Sequence, residues 1–119
     1  MTRDAPSIDA YGDGGFRLSG DWHAGSLLIV ADQAQPWSVA TFADLSVESL
    51  APVFAAGRAD VEFLLLGVGG RNAQPPRAIR EALLTAGIGL EFMDTPSAAR
   101  LYNVLTSEGR RLAVALIAV

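Results

Sequence analysis

The sequence predicts an α/β domain in which an N-terminal β-rich part precedes a β-α-β-α-β part. Three observations carry this. Short apolar runs separated by glycine-rich turns fill the first third of the chain. From Asp60 onward, apolar runs alternate with stretches of helical periodicity. The chain ends in an unbroken apolar run, LAVALIAV, of the kind that strands buried on both faces display.

The elements follow in order. Residues 1–7 are expected to form a flexible tail, and residues 8–119 a single domain. IDAY, GDGG and FRLSG read as strand, turn and strand. DWH and SLLIV follow as strands, parted by Ala24 and Gly25. A polar break at Asp32–Gln35 precedes a third apolar stretch, PWSVATF. Trp22 and Trp37 are both expected to be packing residues. Residues 46–57 predict a short helix capped by Ser46 and ended by Gly57, with Leu50, Val53 and Phe54 on one face and Pro52 awkwardly inside. VEFLLLG (61–67) predicts a strand buried on both faces. Residues 76–86 predict a helix with Ile79, Ala82, Leu83 and Ala86 inward, opened by Pro75 and Pro76 and closed by Gly87. IGLEFM (88–93) is the next strand. Thr95 is placed to cap a helix starting at Pro96, with Ala98, Leu101, Tyr102 and Leu105 on its buried stripe and Asn103 directed away from it. Glu108–Arg111 is a polar turn, and residues 112–119 form the last strand. A right-handed crossover makes strands 61–67 and 88–93 parallel, so that Gly67–Arg71 and Asp94–Thr95 should open on one edge.

Composition excludes several activities. The 119 residues carry no cysteine, which removes thiolate catalysis, disulfides and Cys-ligated zinc. All nine basic residues are arginine, so no Walker-type or Schiff-base lysine exists. A formal net charge of −4 argues against nucleic acid as a partner. The N-terminus has no apolar signal region and no run reaches the length of a membrane span, which predicts a cytoplasmic protein without membrane insertion. His23 is the one histidine. Asp21 would share its strand face, but two such residues make no metal site, and nothing local supplies a nucleophile–base pair.

The segment FLLLGVGGRNAQPPRAIREALLTAGIGLEFMDT has the outline of a nucleotide-binding βαβ unit. A dinucleotide fingerprint requires a third glycine and a helix that begins inside the loop, so that its free amides face the pyrophosphate. Here Gly67 and Gly69 fit, but Asn72 takes the third position and the helix starts only at Pro75–Pro76. No cofactor is predicted. Arg71, Arg77 and Arg80 near a helix start could form an anion pocket or a solvated basic face. Asp94 and Thr95 could act as a polar recognition point, though helix capping is the expected role. Asn103, Glu108 and Arg110 read as turn and cap residues around the last helix.

IDAYGDGGFRLSG, GSLLIV, FLLLGVGG, GIGLEFMDTP and YNVLTSEGRRLAVALI together resemble an uncharacterised bacterial and archaeal α/β family. That family includes the mitochondrial NADH:ubiquinone oxidoreductase complex assembly factor 3. The resemblance runs from Ile8 to about Ile117. Its marks are Gly67-x-Gly69, Gly87–Ile88 into Glu91, Asp94–Thr95, Asn103 and Glu108–Gly109–Arg110. Val68 stands where similar proteins often carry threonine. The resemblance implies a three-layer α/β domain with a mixed central sheet and an added β-hairpin. It implies a non-enzymatic protein-interaction module, an assembly factor for respiratory complex I, with respiratory complex subunits as partners. The candidate contacts are then Gly67, Gly69, Arg71, Asp94, Thr95, Asn103, Glu108 and Arg110. The alternative is a binder or enzyme for a small anionic ligand at the Gly67–Arg71/Asp94 edge.

Overall fold

The computed structural model describes residues 5–119. Three strands, β1 (Ile8–Gly12), β2 (Gly15–Leu18) and β3 (Asp21–Ala24), form an antiparallel sheet. β4 (Ser26–Val30) then enters a second sheet with β5 (Gln33–Trp37), β6 (Phe63–Gly67), β7 (Gly89–Met93) and β8 (Leu112–Leu116). The order is β5-β4-β8-β6-β7. β4 runs antiparallel to β5 and β8; β6 runs parallel to β8 and β7. The helices are α1 (Ala51–Asp60), α2 (Arg77–Ala86) and α3 (Thr95–Ser107).

The period of two along each strand builds three layers. Leu28, Val30, Leu64, Leu66, Ala113 and Ala115 face one way and pack with Val53, Ile79 and Leu83 of α1 and α2. Leu27, Ile29, Leu65, Val114 and Leu116 face the other way, onto Ala98, Ala99 and Tyr102 of α3 and onto Ile8, Phe16 and Leu18 of the small sheet. The runs SLLIV and LAVAL are buried at every position because their strands are interior, whereas β5 and β7 at the edges carry polar residues.

Four expectations are corrected. The break at Asp32–Gln35 is the start of β5, reached by a two-residue turn in which Ala31 (φ 51°) and Asp32 (φ 63°) are both left-handed. Such a turn matches strand twist, and an edge strand tolerates QAQP because it faces water. Within PWSVATF only Pro36 and Trp37 are strand; Phe42–Asp44 is a short 3₁₀ turn. Trp37 is buried and donates its indole N–H to the Ser49 carbonyl (2.8 Å), but Trp22 is 49% exposed and lies over Gly15 on the outside of the small sheet. Residues 46–57 are not one helix: a 3₁₀ turn at Glu48–Leu50 precedes α1, so Pro52 falls in the first turn, where no amide is missed. Ser46 is the N-cap of neither element; its hydroxyl accepts from the Ser49 amide at 3.1 Å in the turn that leads into them. Gly57, with φ 71° and ψ 177°, interrupts the regular helix.

On α3 the buried stripe is Thr95, Ala98, Ala99 and Tyr102, while Leu101 and Leu105 are half-buried on its flank. The small sheet causes this rotation by docking on the other flank. There Asn103 accepts from the Ile8 N–H (2.9 Å) and donates to the Ile8 C=O (2.7 Å). Asn103 does point away from Leu101, but it fastens β1 to α3 rather than serving a turn. Residues 1–4 of the expected tail lie outside the described residues. The Pro6 carbonyl accepts from the Tyr102 hydroxyl at 2.8 Å.

Candidate functional site

β6, β7 and β8 are parallel, so their carboxyl ends meet at one edge, as the crossover rule anticipates. What fills that edge is α3, whose first turn sits directly on it. Thr95 is fully buried. Its hydroxyl accepts from the Gly69 N–H (3.0 Å) and donates to the Ile117 C=O (2.7 Å), while its own N–H donates to the Gly69 C=O (2.8 Å). Val68 donates to the Met93 carbonyl and Ile117 to the Gly67 carbonyl. The edge expected to open is therefore laced shut by backbone and one hydroxyl.

The glycines are explained by this closure. A Cβ on Gly67 would lie 2.7 Å from the Leu116 side chain and 3.0 Å from the Thr95 Cα. Gly69 has φ 108°, open to glycine and strained for other residues. Val68 is buried in the apolar cluster that includes Ile79 and Leu83 of α2.

Asp94 is the N-cap of α3 and accepts from the Ser97 N–H at 2.9 Å. That backbone bond, followed by one from the Ser97 side chain and the charge of Arg100, holds its carboxyl below the usual carboxylate range. Capping accounts for Asp94, whereas Thr95, expected to cap, is instead the first residue of α3 and spends its hydroxyl on Gly69 and Ile117.

Two of the three arginines are engaged within α2 and its approach. Arg77 pairs with Glu81 at 2.6 Å on an exposed helix face, and Arg80 donates to the Pro75 carbonyl. Arg71 is exposed. α2 begins at Arg77, ten residues after Gly67, which confirms the late helix start that excludes a dinucleotide fingerprint.

Glu108 caps the far end of α3. Arg110 sits 5.2 Å above the Phe63 ring and 3.7 Å from Glu62. These groups lie at the amino ends of β6 and β7, roughly 13 Å from the carboxyl edge by strand rise. The eight candidates thus form three separate places: Gly67, Gly69, Arg71, Asp94 and Thr95 at the carboxyl edge; Asn103 against β1; Glu108 and Arg110 at the other end.

A cavity of about 460 Å³ is at this other end. It is a groove between α3 and β7 whose lining includes Phe63, Gly89, Leu101 and Leu105, with Glu62, Glu91 and Arg110 at its rim. Sequence reasoning assigned Leu101 and Leu105 to the core. The available signal was the width of the apolar surface on α3: Leu101, Val104 and Leu105 make a second stripe beside Ala98, Ala99 and Tyr102.

Comparison with known proteins agrees with these marks. Residues 8–117 match the family described as "Protein of unknown function (DUF498/DUF598)". The chain belongs to that family. Among its relatives in DUF498 is an uncharacterized protein of Rhodobacter capsulatus, 44% identical over 92% of this chain and 82% of that one. Another is the NADH dehydrogenase [ubiquinone] 1 alpha subcomplex assembly factor 3 of Danio rerio, 36% identical over 92% of this chain. The chain spans only 63% of that relative's length. A crystal structure described as an outer membrane protein from Bartonella henselae superimposes with a TM-score of 0.90 at 31% identity, covering 96% of this chain and 95% of that one. Among the described residues, no helix is long and apolar enough to cross a membrane.

Proposed function

We infer that this DUF498 member is a non-enzymatic protein-interaction module that serves the assembly of respiratory complex I from the cytoplasmic side. The observation that carries this reading is the match over 92% of the chain to a relative named as a complex I assembly factor. The geometry of the carboxyl edge supports it. Where α/β enzymes commonly keep a crevice at the strand ends, the corresponding groups here are spent on one another, through Thr95, Gly69 and Ile117. The anionic-ligand alternative draws less support, because Arg77 and Arg80 are engaged elsewhere.

The test is affinity capture of the tagged chain from membranes of its native host, solubilised in mild detergent, combined with a deletion strain. The expected result is recovery of complex I subunits and a fall in assembled complex I in the deletion strain. Unchanged complex I content together with no recovered subunit would refute the reading. For the alternative, a panel of phosphorylated metabolites should leave the melting temperature unmoved; a shift abolished by Arg71→Ala would favour ligand binding instead.

A further inference from the structure

The central sheet ends in two very different edges. β5 carries Pro36, which has no amide to offer a further strand. β7 carries neither proline nor bulge, and it pairs with β6 in unbroken register from Gly89 to Met93. Gly89 donates to the Glu62 carbonyl, and Met93 accepts from the Val68 amide. Backbone groups alternate along a strand, so Gly89, Glu91 and Met93 turn theirs toward β6. Leu90 and Phe92 turn N–H and C=O outward, which gives two donors and two acceptors at an unprotected edge.

The groove runs beside this edge. On the α3 face, β7 presents Gly89, Glu91 and Met93. Gly89 supplies no side chain over the cavity that Phe63, Leu101 and Leu105 wall. Val104, 53% exposed, continues the apolar flank outward. Arg110 is held by Glu62 and Phe63. The Glu91 side chain is exposed and makes no hydrogen bond or ion pair among the described residues.

We propose that the β7 edge accepts an extended segment of another protein as an added antiparallel strand, with a basic residue opposite Glu91 and an aromatic residue two positions later, opposite Gly89, filling the groove. Antiparallel addition is the stronger pairing. Side chains two apart share a face, so one segment supplies both the cation and the ring. A second copy of this chain fits poorly. The register that pairs all five residues of two β7 strands sets Glu91 against Glu91, and like charges directly opposite are destabilising. The proposal stands on the edge and its groove, and holds whether or not complex I is the assembly served.

The experiment titrates the blocked peptide acetyl-Thr-Val-Lys-Val-Phe-Thr-Ser-amide into the isotope-labelled full chain and follows its amide NMR spectrum. The expected result is slowed hydrogen exchange at the Leu90 and Phe92 amides, with shifts at Phe63 and at Leu101–Leu105. Exchanging the peptide's lysine for glutamate should weaken binding about fivefold, the scale of a cross-strand charge pair, and Glu91→Lys should reverse the preference. Two results would overturn the proposal. One is no change at Leu90 and Phe92 up to millimolar peptide. The other is protection of those amides in the free chain that rises with protein concentration, which would mean that a second copy covers the edge.

Discussion

Thr95→Val tests whether one hydroxyl closes the carboxyl edge. Valine matches threonine in shape, so the substitution opens no cavity and removes only the polar atom. The Gly69 N–H and Ile117 C=O, both bonded to that hydroxyl at 3.0 and 2.7 Å, then remain buried without partners. Each orphaned group costs about 1–3 kcal/mol, so a loss of about 2–6 kcal/mol is expected. At about 4 °C per kcal/mol for a domain of this size, the midpoint should fall by ~8–24 °C. Urea unfolding followed by circular dichroism measures the loss, with Thr95→Ser as the control. Serine keeps both bonds and gives up a methyl group, about 1 kcal/mol. The Gly69 amide should exchange much faster in the valine variant and hardly change in the serine variant. A valine variant within ~0.5 kcal/mol of the parent would refute the reasoning. So would a serine variant as unstable as valine, since the methyl group would then carry the effect.

Further outcomes follow from the same geometry. Asn103→Leu removes both links between α3 and Ile8 and should cost about 1–3 kcal/mol, with the Ile8 amide losing its exchange protection first. Gly67→Ala brings a Cβ against Leu116 and the Thr95 backbone and should destabilise by about 1–3 kcal/mol through overpacking, measured by thermal unfolding. Asp94 has its carboxyl held below the usual range, so its contribution is present above the unfolded-state value near 3.8 and is lost as pH falls through the lowered folded value. Asp94→Ala should therefore unfold at lower temperature than the parent at neutral pH, with the difference closing in strong acid. Tyr102→Phe frees the Pro6 carbonyl and should cost about 1 kcal/mol, seen as faster proteolysis of the N-terminal segment.

Local pattern determined much of this protein. The interior strands were legible because burial on both faces demands unbroken apolar runs, as in SLLIV and LAVAL. The parallel pairing of β6 with β7 followed from chain handedness, and the late start of α2 followed from Pro75 and Pro76. The absence of lysine and cysteine limited the chemistry directly. Contacts distant in sequence were decided only by the tertiary structure. Docking of β1 against α3 turned Asn103 into a clasp and rotated the buried stripe away from Leu101 and Leu105. Pairing at a sheet edge permitted the polar strand QAQPW and left Trp22 outside. The carboxyl edge closed because α3 carries Thr95 onto the ends of β6 and β8, a convergence of residues 69, 95 and 117 that no local spacing encodes. Helix capping at Asp94 is written in neighbouring residues; the edge-closing contacts of Thr95, and the groove beside β7, exist only once the layers have packed.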